Sequence, residues 1–162
     1  MKKIYLHGEN DRAIKPVEIA ADAAYQDVLE IFKREFEIAD LAQDYFLFFE
    51  EDEILADGTE VSIELEIVHK GHYHGHRCKV IKTVVSYNSQ TKEFNFKPSA
   101  TGKKVLEAIS EKLGISPVDA VDLLLKVDEN TIVQGTDHIG SFVGHHDCSL
   151  RLMLVSDKVV QG

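Results

Sequence analysis

Apolar and polar residues alternate from Lys3 to His7 and again from Ala13 to Ile19, with Gly8-Glu9-Asn10-Asp11 between them, which predicts a hairpin. From Asp22 the period lengthens. Tyr25, Val28, Leu29, Phe32 and Phe36 fall on one helical stripe, and Asp22 stands where a side chain can cap the free amides of the first turn. The aromatic run Tyr45 to Glu50, a short segment Glu53 to Ala56, a turn at Asp57-Gly58 and the alternating Val61 to Val68 read as further strands. The element order is β-β-α-β-β-β.

The second half repeats that order. Lys79 to Tyr87 alternates, Asn88 to Thr91 turns, and Glu93 to Lys97 returns with Phe94 and Phe96 on one face. Ser99 or Thr101 can cap a helix striped by Val105, Ile109 and Leu113, and Gly114 supplies its left-handed stop. Pro117 starts a turn, Val121 to Val127 and Thr131 to Val133 read as strands, and Ser149 to Val155 as the last. A repeat of about 75 residues with one element order predicts two small domains rather than a single α+β domain. The helix returns the chain so that the last strand lies parallel to the first. The expected fold is therefore α+β, two tandem β-grasp domains. The first spans 1–69, a histidine-rich junction 70–77, the second 78–155, and a free tail 156–162.

Composition narrows the partners. A formal charge of -10 argues against nucleic acid, since phosphate binding needs a basic face. No apolar run is long enough to span a bilayer, and MKKIYLHGEND carries no apolar signal core, so the cytoplasm is the expected compartment. Cys78 and Cys148 lie far apart outside any CxxC pattern and suit reduced thiols. Proteins are the expected partners, with neither membrane nor nucleic acid.

In the second half Gly114-Ile115-Ser116-Pro117, the Leu123-Leu124-Leu125 strand and Asp147-Cys148-Ser149-Leu150-Arg151-Leu152-Met153-Leu154 follow the order and spacing of ubiquitin. The chain as a whole resembles the interferon-induced tandem ubiquitin-like modifier. It is closer still to bacterial tandem ubiquitin-like modifiers of antiphage conjugation operons, through His76-Arg77-Cys78 and His138-Ile139-Gly140-Ser141. That resemblance implies a substrate rather than an enzyme. An ATP-using adenylating enzyme would activate the terminal glycine, a conjugating enzyme would carry it as a thioester, and a JAB-type zinc protease would remove it from targets such as phage structural proteins. No cofactor of its own is implied.

The tail fits such a role physically. Glycine lets the backbone enter a narrow channel, so Gly162 is the expected conjugation residue and Lys158, Val159, Val160 and Gln161 the expected recognition segment. At roughly 3.3 Å per residue an extended Ser156–Gly162 arm reaches about 20 Å. Ubiquitin ends in two glycines after arginines, so its own activating enzyme should reject this tail. The first domain ends at His69 with no glycine pair, which makes the tandem the working unit. The residues matching ubiquitin's apolar partner surface are Leu123 and Met153, with Arg151 and Met153 alternating outward from Leu150, Leu152 and Leu154. Leu123 shares a parity with Val121 and Leu125, and one face of that strand must be buried.

His72, His74, His76 and Cys78 would point to one face of an extended segment, a ligand-compatible spacing for zinc or copper. A linker, or an extension of the second domain's first strand, is the plainer reading, and no metal is expected. Cys148 opens a core strand, where cysteine packs as a small apolar group. The acidic runs Glu50-Glu51-Asp52-Glu53 and Asp128-Glu129-Asn130 read as solvated turns. With no P-loop, paired-carboxylate or Ser/His/Asp pattern, no catalytic residue is expected. The alternatives to a conjugated modifier are a non-covalent tandem adaptor and a sulfur carrier.

Overall fold

A computed structural model of the chain describes residues 1–39, 44–56, 61–144 and 146–157. The first hairpin pairs β1 (Lys2–His7) with β2 (Ile14–Ile19). Helix α1 (Tyr25–Glu35) follows. Its first turn is capped not by Asp22 but by Asp27, whose carboxylate accepts from the Ala24 amide at 2.9 Å. Strands β3 (Phe46–Phe49) and β4 (His72–His76) complete a sheet of order β2-β1-β4-β3, with β4 parallel to β1 and antiparallel to β3.

β4 departs from the sequence reading. Val61 to Val68, which alternates, forms no strand, and the histidine-rich segment assigned to a junction takes the central position instead. Both faces of β4 are occupied. Tyr73 and Gly75 turn inward under α1, where Phe49 stacks on Tyr73 at 5.0 Å between ring centroids. His74 and His76 turn outward and are fully buried against the second domain. Gly75 is fixed by contact, because a Cβ there would lie 2.5 Å from the Phe32 ring.

The second sheet has the order β6-β5-β9-β7-β8, built from β5 (Ile81–Tyr87), β6 (Gln90–Phe96), β7 (Leu123–Asp128), β8 (Thr131–Ile132) and β9 (Ser149–Ser156). β9 lies parallel to β5, as the crossover through a helix requires. Helix α2 (Gly102–Leu113) is capped by Thr101, which accepts from the Lys104 amide, and ends at left-handed Gly114 (φ 70°). Pro117 opens a short helix, α3 (Pro117–Ala120), rather than a bare turn. A 3-10 turn at Ile139–Phe142 carries the chain towards β9. Strand β7 starts later than its apolar run, leaving Val121 exposed. Cys78 and Cys148 are joined as a disulfide across the start of β5 and β9, which corrects the expectation of free thiols: the parallel pairing brings two sequence-distant strand starts together.

Contacts across the two domains are extensive. Arg12 pairs with Asp137 and donates to the Ile132 carbonyl at 3.0 Å, while the Ser99 hydroxyl donates to the Phe49 carbonyl at 3.3 Å. The predicted strand at Glu53 to Ala56 joins the other domain: Leu55 bridges to Phe96, Lys97 donates to the Ile54 carbonyl, and Ala56 donates to that of Asn95.

Replacing Gly75 with alanine forces Phe32 and α1 away from β4. The expected cost is about 1–3 kcal/mol, read as a lower denaturation midpoint in urea. Alkylation of the denatured, unreduced protein should label neither cysteine; labelling at both positions in protein purified under air would contradict the pairing.

Candidate functional site

The outward face of the first sheet gathers histidines because β1 and β4 run parallel in register, Tyr5 opposite His72 and His7 opposite His74. Tyr5 and His72 stack at 4.6 Å. Facing them is His138, from the residue that precedes the 3-10 turn in the second domain. His138 stacks on His7 with ring centroids 3.6 Å apart and planes 9° apart. Its Nε2 lies 2.8 Å from the Glu50 carboxylate and its Nδ1 lies 3.1 Å from Nδ1 of His74. His7 Nε2 lies 2.8 Å from His72 Nδ1. Four histidines and one carboxylate thus meet where the two domains touch.

Burial sets their charge. It pushes His7 down to about 2, with His138 and His72 adding repulsion. His74 is held well below its ordinary value by burial, then by His138 and His76. Burial also lowers His138, although Glu50 acts in the opposite sense. Burial alone would raise Glu50, but the hydrogen bond from His138 outweighs it and holds the carboxyl below the usual range. The rings are therefore neutral at pH 7 and Glu50 is ionised.

His76 does different work. Its Nε2 donates to the carbonyls of Gly140 and Val143, each at 3.1 Å, and its Nδ1 accepts from the Cys78 amide at 2.9 Å. Both nitrogens are committed, so His76 is a structural tie between β4 and the 3-10 turn. Beside it Arg77 grips Glu9 through Nη2 at 2.6 Å, Nε at 2.9 Å and its own amide at 2.8 Å. Burial would raise the Glu9 carboxyl, yet the Arg77 hydrogen bonds hold it below its ordinary value. The stretches His76-Arg77-Cys78 and His138 to Ser141 meet in space although His76 and Gly140 are 64 residues apart in sequence.

Of the residues singled out as possible ligands, His72 and His74 join the cluster, His76 turns its nitrogens to backbone groups, and Cys78 is bonded to Cys148. Glu50, read as part of a solvated turn, is half-buried and hydrogen-bonded to His138. His7, Glu50 and His138 carry no ligand pattern in the sequence because they are scattered singly along the chain. Only the pairing of β1 with β4 brings His7 beside the histidine-rich run. Among the surface residues, Arg151 is exposed and Met153 half-buried, but Leu123 lies in the core at 9% exposure. Its parity with Leu125 decides this, and Leu124, opposite Val155, takes the outward place. Ser156 belongs to β9 and the Asp157 amide donates to the Asp122 carbonyl, so these two residues, expected in the free arm, are held to the sheet. Lys158, Val159, Val160, Gln161 and Gly162 lie outside the described residues.

Two sheets, each with its closing strand set parallel to its opening strand beneath one main helix, define a two-domain ubiquitin-like protein. Residues 82–157 match the family model described as BilA ubiquitin-like domain 2. The second domain is thus similar to the BilA ubiquitin-like domain 2 family. Among solved structures, it is similar to the N-terminal ubiquitin-like domain in the 4931431F19Rik protein, with 16% identity and a TM-score of 0.38 over 48% of this chain and 74% of that one. No curated protein matches at the sequence level.

Histidines that stay neutral in the fold but take protons once unfolded make stability depend on pH with a definite sign. Their contribution is complete above about pH 6.5 and is lost as the pH falls towards the lowered folded values. Each such ring costs about 1.4 kcal/mol per pH unit below that point. In chelator-containing buffer the urea midpoint should therefore fall steeply between pH 7 and 5, and His7→Asn should flatten the slope.

Proposed function

We propose that this protein is a ubiquitin-like modifier, joined to target proteins through the carboxyl group of Gly162, and that it acts as a substrate of conjugation rather than as an enzyme. The family match of the second domain carries this reading. In the proposed sequence the Gly162 carboxylate attacks the α-phosphate of ATP and releases pyrophosphate. A cysteine thiolate of the adenylating enzyme then displaces AMP to give a thioester, which passes to a conjugating enzyme and on to a target amine with release of the thiol. A JAB-type zinc protease would reverse the last bond. The bacterial antiphage setting and phage structural proteins as targets belong to the same proposal.

The outward face of β7 and β9 supports it. Leu124, Lys126, Arg151, Met153 and Val155 lie on that side of the sheet, and an open groove of about 760 Å³ runs beside Met153 and the end of β9 towards Tyr87 and Asn88. An activating enzyme seated there would receive the segment Lys158 to Gln161 directly as it leaves the strand. The proposed compartment is the cytoplasm. Among the described residues no helix is long and apolar enough to cross a membrane. In a reducing cytoplasm the Cys78–Cys148 bond would be open.

Intact mass spectrometry after incubation with ATP and the cognate adenylating and conjugating enzymes tests the reading. The expected result is an enzyme-linked species, cleaved by thiols, that forms with the full chain and is lost on deletion of Gly162. No adduct with either chain, using enzymes shown to be active on another modifier substrate, leaves the non-covalent adaptor.

A further inference from the structure

The geometry points to a divalent-cation site of the zinc class at the domain interface, with His7, Glu50 and His138 as ligands and His74 as the residue that orients His138. One coordinating atom from each of the three lies within 4.8 Å of the others. Ligand atoms bound to a single zinc at about 2.1 Å stand roughly 3.4 Å apart in a tetrahedron, so the set closes by side-chain rotation, with His7 turning out of its stack on His138 to aim a ring nitrogen at the ion. Two imidazoles and one carboxylate suit zinc and leave a fourth position for water, and half-exposed His72 sits beside His7 at the margin of the site.

The hydrogen bonds around the cluster supply a second argument. His74 Nε2 faces the Glu9 carbonyl at 3.1 Å, and a carbonyl only accepts, so the ring proton is on Nε2 and Nδ1 carries a lone pair. His138 Nε2 faces the Glu50 carboxylate, which again only accepts, so a neutral His138 also carries its proton on Nε2. Two Nδ1 lone pairs then confront each other at 3.1 Å inside a buried interface. One cation resolves the conflict. A metal ion between Glu50 and His138 takes the place of the Nε2 proton, the proton moves to His138 Nδ1, and that N–H donates to His74 Nδ1. The chain metal, His138, His74, Glu9 carbonyl is then satisfied at every link. It has the form usual for metal-bound histidine, whose second nitrogen donates to an orienting partner.

An extra proton on His138 would also satisfy these bonds, but it gives His7 no part. His7 is 3% exposed, stacked face to face on His138 and held at Nε2 by His72, and a cationic neighbour at 3.6 Å would repel it if it too were charged. A metal uses His7 as a ligand. Because His7 and Glu50 come from the first domain and His138 from the second, the ion would clamp the tandem together.

The test uses the full chain, stripped with a chelator and titrated with zinc chloride by calorimetry at neutral pH, with the thermal midpoint followed in parallel. Expected are one zinc per chain, a rise in midpoint with zinc, and a cobalt-substituted form with tetrahedral d–d absorption. Glu50→Gln is nearly isosteric and half-exposed, so it should keep the fold and weaken binding at least tenfold; His7→Asn should do the same. His74→Gln should weaken it by roughly 10- to 100-fold while one zinc still binds. His146→Ala, on the surface, should change nothing. The site is disproved if the folded wild-type chain takes up no zinc, or if Glu50→Gln and His7→Asn, folded by circular dichroism, bind as well as wild type.

Discussion

The tandem hangs on one strand with two buried faces. β4 is the central element of the first sheet, and its inward residues Tyr73 and Gly75 close that domain's core under Phe32 and Phe49. Its outward residues His74 and His76 are the surface on which the second domain rests. An apolar outward face would dock by area alone. Imidazoles dock only where each nitrogen finds a partner, because an unpaired buried polar atom costs about 1–3 kcal/mol. Directed bonds thus contribute to the relative placement of the domains, among them His76 to the Gly140 and Val143 carbonyls, His74 to His138, and Arg12 to Asp137.

This arrangement also explains which parts of the fold were legible in the sequence. Element type followed hydrophobic period wherever one face met a core and the other met water, as in β1, β5, β9 and both main helices. Periodicity failed at β4, where the outward face is buried yet polar, so that His-Tyr-His-Gly-His shows no apolar alternation. It failed in the opposite way at Val61 to Val68, which alternates but loses the competition for the place beside β1. Gly75 fits β4 to its place, since a Cβ there would lie 2.5 Å from the Phe32 ring. Leu123 and Leu124 are neighbours on opposite faces, and a two-residue period alone does not say which face of the strand is the outer one.

The candidate site was half visible. The histidine-rich run announces itself by composition, and two of its members, His72 and His74, take part. The partners His7, Glu50 and His138 come from three other places in the chain and are ordinary residues where they stand. Convergence of this kind is a property of topology: a parallel strand pair puts His7 next to His74, and domain docking adds His138. The disulfide follows the same logic, since β5 and β9 start side by side although 70 residues separate Cys78 from Cys148.

The bridge between Leu55 and Phe96 has a different significance. Strand β6 is the outer strand of the second sheet, and an outer strand offers unpaired amides and carbonyls to any extended chain that meets it. Here the segment Ile54 to Ala56 occupies part of that rim before a stranger can. The first domain thereby shields its sister from edge-to-edge polymerisation. A chain cut between the two halves would expose that rim, so the separated second domain should be the more aggregation-prone molecule even with its own core intact.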